Sequence, residues 1–116
     1  MFPKKNRILK REFDELMKNS RVFHSESISL RLMKKAKETL PKFAFVVSKK
    51  VAKNATDRNK MKRKGFHALR EIIFPDTIIK MKGCMGAFFF KKEGKETKFD
   101  ELKNEIEGLL KKSGIL

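Results

Sequence analysis

The chain has 116 residues, enough for one domain with a hydrophobic core and too few for two domains of ordinary size. Its 30 Lys and Arg outnumber its 14 Asp and Glu, and the formal net charge of +16 favours a polyanionic partner such as a nucleic acid. The one cysteine, Cys84, excludes an internal disulfide and a zinc-binding spacing, and no apolar run approaches the ~20 residues of a membrane span. No secretory leader pattern follows Met1, so we expect a cytoplasmic protein without membrane contact.

The first part of the chain predicts a helix followed by two strands. Residues 8–20 place apolar side chains at helical spacing. Residues 26–34 alternate between apolar and polar, which is typical of a half-buried strand. Residues 43–48 are apolar on both faces, as expected of a more central strand.

The stretch from Ser48 to Arg70 concentrates the positive charge, with nine cations and one acid among its 23 residues. On a helical wheel its apolar side holds Met61, Gly65, Ala68, Leu69 and Ile72. The opposite side holds Asn59, Lys60, Arg63, His67 and Arg70, and the border holds Arg58 and Lys62. The pattern predicts one helix with a buried seam and a basic outer face, capped by Asn54 or Thr56 and ended by Pro75.

The remainder of the chain predicts a strand and a last helix. Between residues 77 and 90 two apolar segments surround two glycines, and the second segment, residues 87–90, has the character of a strand. Residues 98–112 are amphipathic with helical spacing. The predicted fold is a single α+β domain over residues 1–116, a small α/β sandwich with a mixed sheet and the order α-β-β-(β)-α-β-α.

The sequence lacks the groups of a protein-borne catalytic centre. A nuclease needs side chains that hold a metal ion or move protons, but His24 and His67 are far apart and have no partner pattern. The acidic side chains, Glu12 among them, fall on the outer faces of amphipathic helices, as solvated residues do. The sequence has no Gly-rich phosphate loop, nucleophile elbow or Cys/His cluster. We therefore predict no catalytic residue and no metal held by the protein alone.

The side chains of the basic stretch suit RNA. Arg offers a planar fork for phosphate, Lys a movable point charge, and Asn both a donor and an acceptor. We predict that RNA is contacted by Lys49, Lys50, Lys53, Arg58, Asn59, Lys60, Lys62, Arg63 and Arg70. Binding through the RNA backbone should depend steeply on salt. A nearby sheet face, lined by Phe side chains and Arg31, could hold a single strand by stacking, although a Phe in a strand more often belongs to the core.

Two segments around this stretch match a family signature. Val47–Val51 reads V-S-K-K-V, and Arg58–Arg63 reads R-N-K-M-K-R. Together they resemble the signature of the bacterial ribonuclease P protein component: V-S-K-K-hydrophobic, a short spacer, then R-N-R-hydrophobic-K-R on a helix. The resemblance extends over nearly the whole chain and includes Asn6–Ile8 followed by Phe13. Lys60 stands where the family has its second Arg. This replacement keeps the positive charge but loses the planar guanidinium that can make two hydrogen bonds to one phosphate.

The resemblance implies a small subunit that binds a large catalytic RNA, which removes 5′ leaders from precursor tRNAs. Mg²⁺ would be held mainly by that RNA, and no further protein partner would be required. The motif-bearing helix would contact the RNA near its catalytic core, and the family fold has an uncommon left-handed βαβ crossover.

The resemblance also implies a cleft between the first helix and one sheet face that receives the single-stranded leader. By position, its residues would be Phe13, Met17, Arg31 and Phe45. Met17 and Arg31 stand where aromatic side chains are expected, so contacts there would be partly ionic. From helical spacing alone, Phe13 fits the core better than a groove.

Two other functions agree with the charge and the size. One is a ribosomal or ribosome-assembly protein that binds rRNA without a catalytic role, and the other is a free-standing protein nuclease. The RNA that copurifies with the chain separates the first from a ribonuclease P subunit. Cleavage of precursor tRNA by the protein alone would support the second.

Overall fold

The computed structural model describes residues 8–34, 41–73 and 83–114. Within these ranges the chain forms α-helices, strands and one short 3-10 helix. In chain order they are α1 (Lys10–Asn19), β1 (Arg21–His24), β2 (Ile28–Lys34), β3 (Lys42–Val46), α2 (Ala55–Ile72), β4 (Cys84–Phe90), the 3-10 helix (Lys92–Glu96) and α3 (Phe99–Lys112). Asn6, Arg7, Pro75 and the first apolar segment after Pro75 lie outside the described residues, so what was predicted for them stays a prediction.

The four strands form one mixed sheet with the order β1-β2-β4-β3. The β1/β2 and β2/β4 pairs are antiparallel, and the β3/β4 pair is parallel. The predicted α+β class, mixed sheet and element order are confirmed. Two details differ from the sequence-based expectation. β3 lies at an edge and β4 at the centre, and β1 is a strand that the sequence does not signal, because four residues are too few to show a period.

α2 connects the parallel strands β3 and β4, which are neighbours in the sheet. Parallel neighbours need a long crossover connection, because a tight turn can join only antiparallel strands. Along this crossover α2 buries five residues: Met61, Gly65, Ala68, Leu69 and Ile72. They are the five residues of the predicted seam, which is therefore confirmed. The left-handed sense of the crossover stays a prediction.

Apolar side chains pack against both faces of the sheet. On one face, the larger core joins the strands to α2 and α3, and its fully buried members include Ile28, Phe43, Leu69, Phe88 and Leu102. On the other face, Leu16 of α1 is buried against Met85 and Ala87 of β4. The sheet therefore separates α2 and α3 from α1, and each face of the sheet can carry a different surface.

Gly65 lies where α2 comes closest to β3. A Cβ atom added there would meet the Phe45 ring at a separation that real Cβ atoms do not show. The ring has no room to move, because its centre lies 4.8 Å from that of Phe66, 4.9 Å from that of Phe88 and 6.1 Å from that of Phe90. The missing side chain of Gly65 therefore sets the distance between α2 and the sheet.

We expect Gly65→Ala to lower the free energy of unfolding by about 1–3 kcal/mol, because the added methyl group overpacks this contact. Denaturant unfolding of the purified chain measures the change. Gly108→Ala in α3 is the matched control, since nothing lies within 4 Å of its Cβ position. Helix propensity alone should make that control more stable by up to about 1 kcal/mol. Equal effects of the two substitutions would contradict the close approach at Gly65.

Candidate nucleic-acid interface

The loop between β3 and α2 and the outer face of α2 form one basic surface, defined here as the exposed side chains of residues 48–70. Seven of the nine predicted RNA-binding residues are exposed on it: Lys49, Lys50, Lys53, Asn59, Lys60, Arg63 and Arg70. Lys62 is half-buried at the border of the seam, as the helical wheel predicts. Because the seam fixes the rotation of α2 about its axis, these cations point away from the core.

Carboxylates do not neutralise these lysines and arginines within the described residues. The Lys–carboxylate pairs of that part of the chain lie elsewhere, between Lys42 and Glu12, Lys103 and Glu71, and Lys111 and Glu107. On the outer face of α2, His67 approaches Glu71 with an Nε2–Oε2 distance of 3.1 Å and lies beside the Phe99 ring. His67 thus contributes to the α2/α3 boundary, while the neighbouring cations remain available to phosphates.

Arg58 differs from the other predicted RNA contacts. Its side chain is half-buried, and one guanidinium nitrogen, Nη1, donates hydrogen bonds to two backbone carbonyls of the preceding loop. The acceptors are Ala52 O at 2.9 Å and Lys53 O at 2.7 Å. The structure therefore joins Arg58 to the loop that carries the exposed lysines.

The first turn of α2 adds to the positive potential of the basic surface. Asn54, one of the two predicted caps, is the N-cap residue, but its side chain makes no capping hydrogen bond within the described residues. The first backbone N–H groups of a helix have no partner inside the helix, and the helix dipole places partial positive charge there. This helix end faces the same loop as Lys49, Lys50 and Lys53, so backbone and side-chain charges add.

On the other face of the sheet, we use the term groove for the surface beside α1 that is defined by Phe13, Met17, Arg31 and Phe89. The Phe13 ring of α1 lies 6.0 Å from the Phe89 ring of β4, measured between ring centres. The Arg31 guanidinium of β2 lies over the same Phe89 ring at 5.8 Å. Met17 is one helical turn beyond Phe13 and is 39% exposed. The structure thus brings together three of the four predicted cleft residues, and all three retain exposure.

Phe45, the fourth predicted cleft residue, lies on the opposite face of the sheet. It is 5% exposed and packs under α2, against Gly65 and the Phe66 and Phe88 rings. Its assignment to the cleft is therefore wrong. Side chains alternate along a strand, so the partners of Phe45 across β4 decide which face it takes.

Phe89 takes the place in the groove that the sequence suggested for Phe45. Three consecutive Phe residues at 88–90 are apolar on both faces of β4, so the run does not indicate which of them leaves the core. The strand register supplies that information: Phe88 pairs with Leu30 and Phe45, which are both buried in the core under α2. Phe89 then faces α1.

Glu12 is buried rather than solvated, contrary to the expectation from the helical wheel. It is 8% exposed, and its Oε1 accepts a hydrogen bond from the Leu9 N–H at 3.0 Å. The Lys42 ammonium of β3 lies 2.9 Å from each carboxylate oxygen. This ion pair joins the first turn of α1 to the edge strand of the sheet, and so it sets the position of α1 over the groove.

The described residues contain no group of three or more His, Cys, Asp or Glu side chains that could hold a metal ion, so we derive no reaction step through a metal held by this chain. Burial raises the pKa of the Cys84 thiol, and the neighbouring Lys34 ammonium opposes the shift. Cys84 is therefore protonated at neutral pH and serves as a small core residue, not as a nucleophile.

Several solved structures of ribonuclease P proteins share this fold. The Staphylococcus aureus RNase P protein gives a TM-score of 0.77 at 20% identity, with 95% of this chain and 96% of that chain covered. The Thermotoga maritima RNase P protein gives 0.75 at 22% identity, with 91% and 96% covered. A second Staphylococcus aureus structure gives 0.70 at 24% identity, with 100% and 96% covered. The three helices on a four-stranded mixed sheet are therefore the fold of ribonuclease P proteins.

The family model described as Ribonuclease P matches residues 2–114. None of the curated proteins compared matches the sequence significantly. The chain belongs to the ribonuclease P protein family, and the resemblance carried by its two sequence motifs is confirmed. Membership makes the chain part of an endoribonuclease of tRNA processing and implies an RNA partner in a ribonucleoprotein. Among the described helices, none is both long enough and apolar enough to cross a membrane.

We expect Glu12→Ala to lower the free energy of unfolding by about 1–3 kcal/mol, because it leaves the Lys42 ammonium partly buried without its partner. Thermal or denaturant unfolding measures the loss. Asp14→Ala is the matched control on an exposed position of the same helix and should change stability by less than about 0.5 kcal/mol. The double variant Glu12→Leu/Lys42→Met should lose less than the sum of its single changes. Additive losses would mean that the two side chains act independently.

Proposed function

We propose that this chain binds the catalytic RNA subunit of ribonuclease P through its basic surface and holds the 5′ leader of precursor tRNA in the groove beside α1. In this proposal the RNA subunit holds Mg²⁺ and carries out the bond cleavage. The observation that supports it best is the set of exposed cations along residues 48–70, which pair with no carboxylate within the described residues.

The basic surface suits the backbone of a folded RNA. Arg63 offers a planar guanidinium that can contact a phosphate with two hydrogen bonds, and Lys60 offers a point charge one helical turn away. Asn59 lies beside them and can donate to or accept from a 2′-OH or a base edge. Phosphate contacts position an RNA without reading its sequence, so shape should dominate recognition of the RNA subunit.

The groove suits a single strand. The Phe89 ring contacts both the Phe13 ring and the Arg31 guanidinium, so an unpaired base can stack on this aromatic surface while a cation reaches the phosphate that follows it. Leu9 and Met17, one turn on either side of Phe13, are 55% and 39% exposed and extend the apolar edge of α1. Stacking tolerates every base, so the groove should accept leaders of different sequence.

The two surfaces lie on opposite faces of the sheet, because α2 packs on one face and α1 on the other. One RNA can therefore occupy the basic surface while a second strand occupies the groove. This arrangement favours a subunit that joins an RNA to its substrate over a protein that binds rRNA alone.

Arg63→Ala should weaken binding to the RNA subunit and lower the slope of log affinity against log salt by about one, as the loss of one phosphate contact does. Filter binding across a salt series measures the slope. Lys112→Ala is the matched control, because it removes one exposed charge at the far end of α3. An unchanged slope for Arg63→Ala would contradict a phosphate contact at this side chain.

Phe89→Ala and Phe13→Ala should reduce the preference for precursor tRNA over mature tRNA by about 5- to 150-fold, because one stacked base contributes about 1–3 kcal/mol. Phe99→Ala is the matched control: Phe99 is also half-buried, but it lies beside His67 on the other side of the sheet. A loss of stability without a change in this preference would make Phe13 and Phe89 packing residues only.

Reconstitution tests the proposal as a whole. With the RNA subunit of a bacterial ribonuclease P transcribed in vitro, we expect the chain to accelerate cleavage of precursor tRNA at low Mg²⁺. Cleavage by the protein without RNA would contradict the proposal that the RNA subunit breaks the bond. An unchanged cleavage rate of the RNA subunit in the presence of the protein would contradict the proposed role of the protein. If the RNA that copurifies with the chain is ribosomal, the rRNA-binding alternative is favoured instead.

A further inference from the structure

The two hydrogen bonds of Arg58 run inward to the chain itself. Nη1 donates to Ala52 O at 2.9 Å and to Lys53 O at 2.7 Å. Charged donors make the stronger kind of hydrogen bond, and two acceptors from consecutive residues fix the direction of the backbone as well as its position. Both N–H groups of Nη1 are therefore engaged before any RNA arrives, and the three N–H groups on Nε and Nη2 remain.

The loop that Arg58 reaches is a tight turn fixed at its two ends. The N–H groups of Val51 and Ala52 both donate to Ser48 O, at 3.1 Å each. Ala52 is 1% exposed and belongs to the main core. Lys49, Lys50 and Lys53 project from the same turn into solvent. This short segment thus carries three cations that repel one another. Arg58, in the first turn of α2, hydrogen-bonds to its backbone.

We infer that Arg58 is a positioning residue, which holds the Ser48–Asn54 loop so that Lys49, Lys50 and Lys53 present their charges in one fixed arrangement. The inference rests on the proposed function, since it assigns that arrangement to RNA phosphates. It departs from the sequence-based expectation that Arg58 contacts RNA directly. Arg63, five residues later, is exposed and has no hydrogen bond within the described residues, so it is the matched comparison.

Comparing Arg58→Lys with Arg58→Ala separates this inference from a direct phosphate contact. Lys keeps the charge of Arg but lacks the rigid guanidinium that is directed at two carbonyls. If Arg58 holds the loop, Arg58→Lys should behave much like Arg58→Ala. If Arg58 contacts a phosphate, Arg58→Lys should lose clearly less affinity than Arg58→Ala, because a point charge also binds phosphate.

The first test uses the free protein and needs no RNA. Amide hydrogen exchange at Val51 and Ala52 should become about tenfold faster in Arg58→Ala and several-fold faster in Arg58→Lys. In Arg63→Ala the same amides should exchange at the wild-type rate. Circular dichroism confirms that each variant is folded, and Arg58→Lys remains informative if Arg58→Ala is not. Unchanged amide exchange in both Arg58 variants would overturn the inference, independently of any effect on RNA affinity.

The second test is a mutant cycle on affinity for the RNA subunit of a bacterial ribonuclease P. Arg58→Ala should weaken binding about fivefold or more in the wild-type background. In the Lys49→Ala/Lys50→Ala/Lys53→Ala background it should weaken binding by less than about twofold, because the charges that it positions are gone. Equal losses in both backgrounds, with a further drop of about one in the salt slope, would make Arg58 a direct phosphate contact and overturn the inference.

The two tests separate failure of this inference from failure of the proposed function. If wild-type protein shows no salt-dependent affinity for the RNA subunit, the proposed function fails, and amide exchange still decides whether Arg58 holds the loop. If wild-type protein binds the RNA subunit, but amide exchange is unchanged in the Arg58 variants and the affinity losses are additive, only the positioning role of Arg58 is contradicted.

Discussion

The contact of α2 with β3 at Gly65 and Phe45 decides where the functional side chains of this protein point. Because the helix lies directly on the Phe45 ring, one side of it is committed to the core, and the other side is left to solvent. The sheet beneath then divides the molecule into a face covered by α2 and α3 and a face covered by α1. A highly charged surface and an apolar groove can coexist because the sheet keeps them apart.

The features that the sequence predicts well are long and periodic. The seam of α2 repeats over 18 residues, so its five buried positions follow from spacing alone. The exposed cations follow from the same wheel, because positions opposite a buried seam face solvent. The two basic motifs sufficed to name the family, since their residues are contiguous in sequence. Each of these inferences depends only on residues that lie within about one helix length of one another in the sequence.

The features that the sequence does not predict depend on contacts between distant segments. Glu12 is buried because Lys42 of the edge strand reaches it, and a helical wheel of α1 contains no information about β3. Phe45 lies in the core instead of the cleft, and Phe89 faces α1, because the register of β4 against its neighbours decides which face each one takes. The wheel places Arg58 at the border of the seam, but its carbonyl partners belong to a turn whose backbone has no periodic signal.

The strand order also determines when the molecule can fold. β4 is one of the two inner strands, yet it follows the other three in the chain, and Ile28 of β2 must find Phe90 as its neighbour. Before β4 is available, β3 has no strand beside it and α1 lacks the surface formed by Met85 and Ala87. Non-local pairings of this kind slow folding, because a long loop must close before any contact compensates for its lost entropy. On the ribosome, the sheet can therefore be completed only after most of the chain has emerged, and the cationic segment is exposed to surrounding polyanions before it has a folded support.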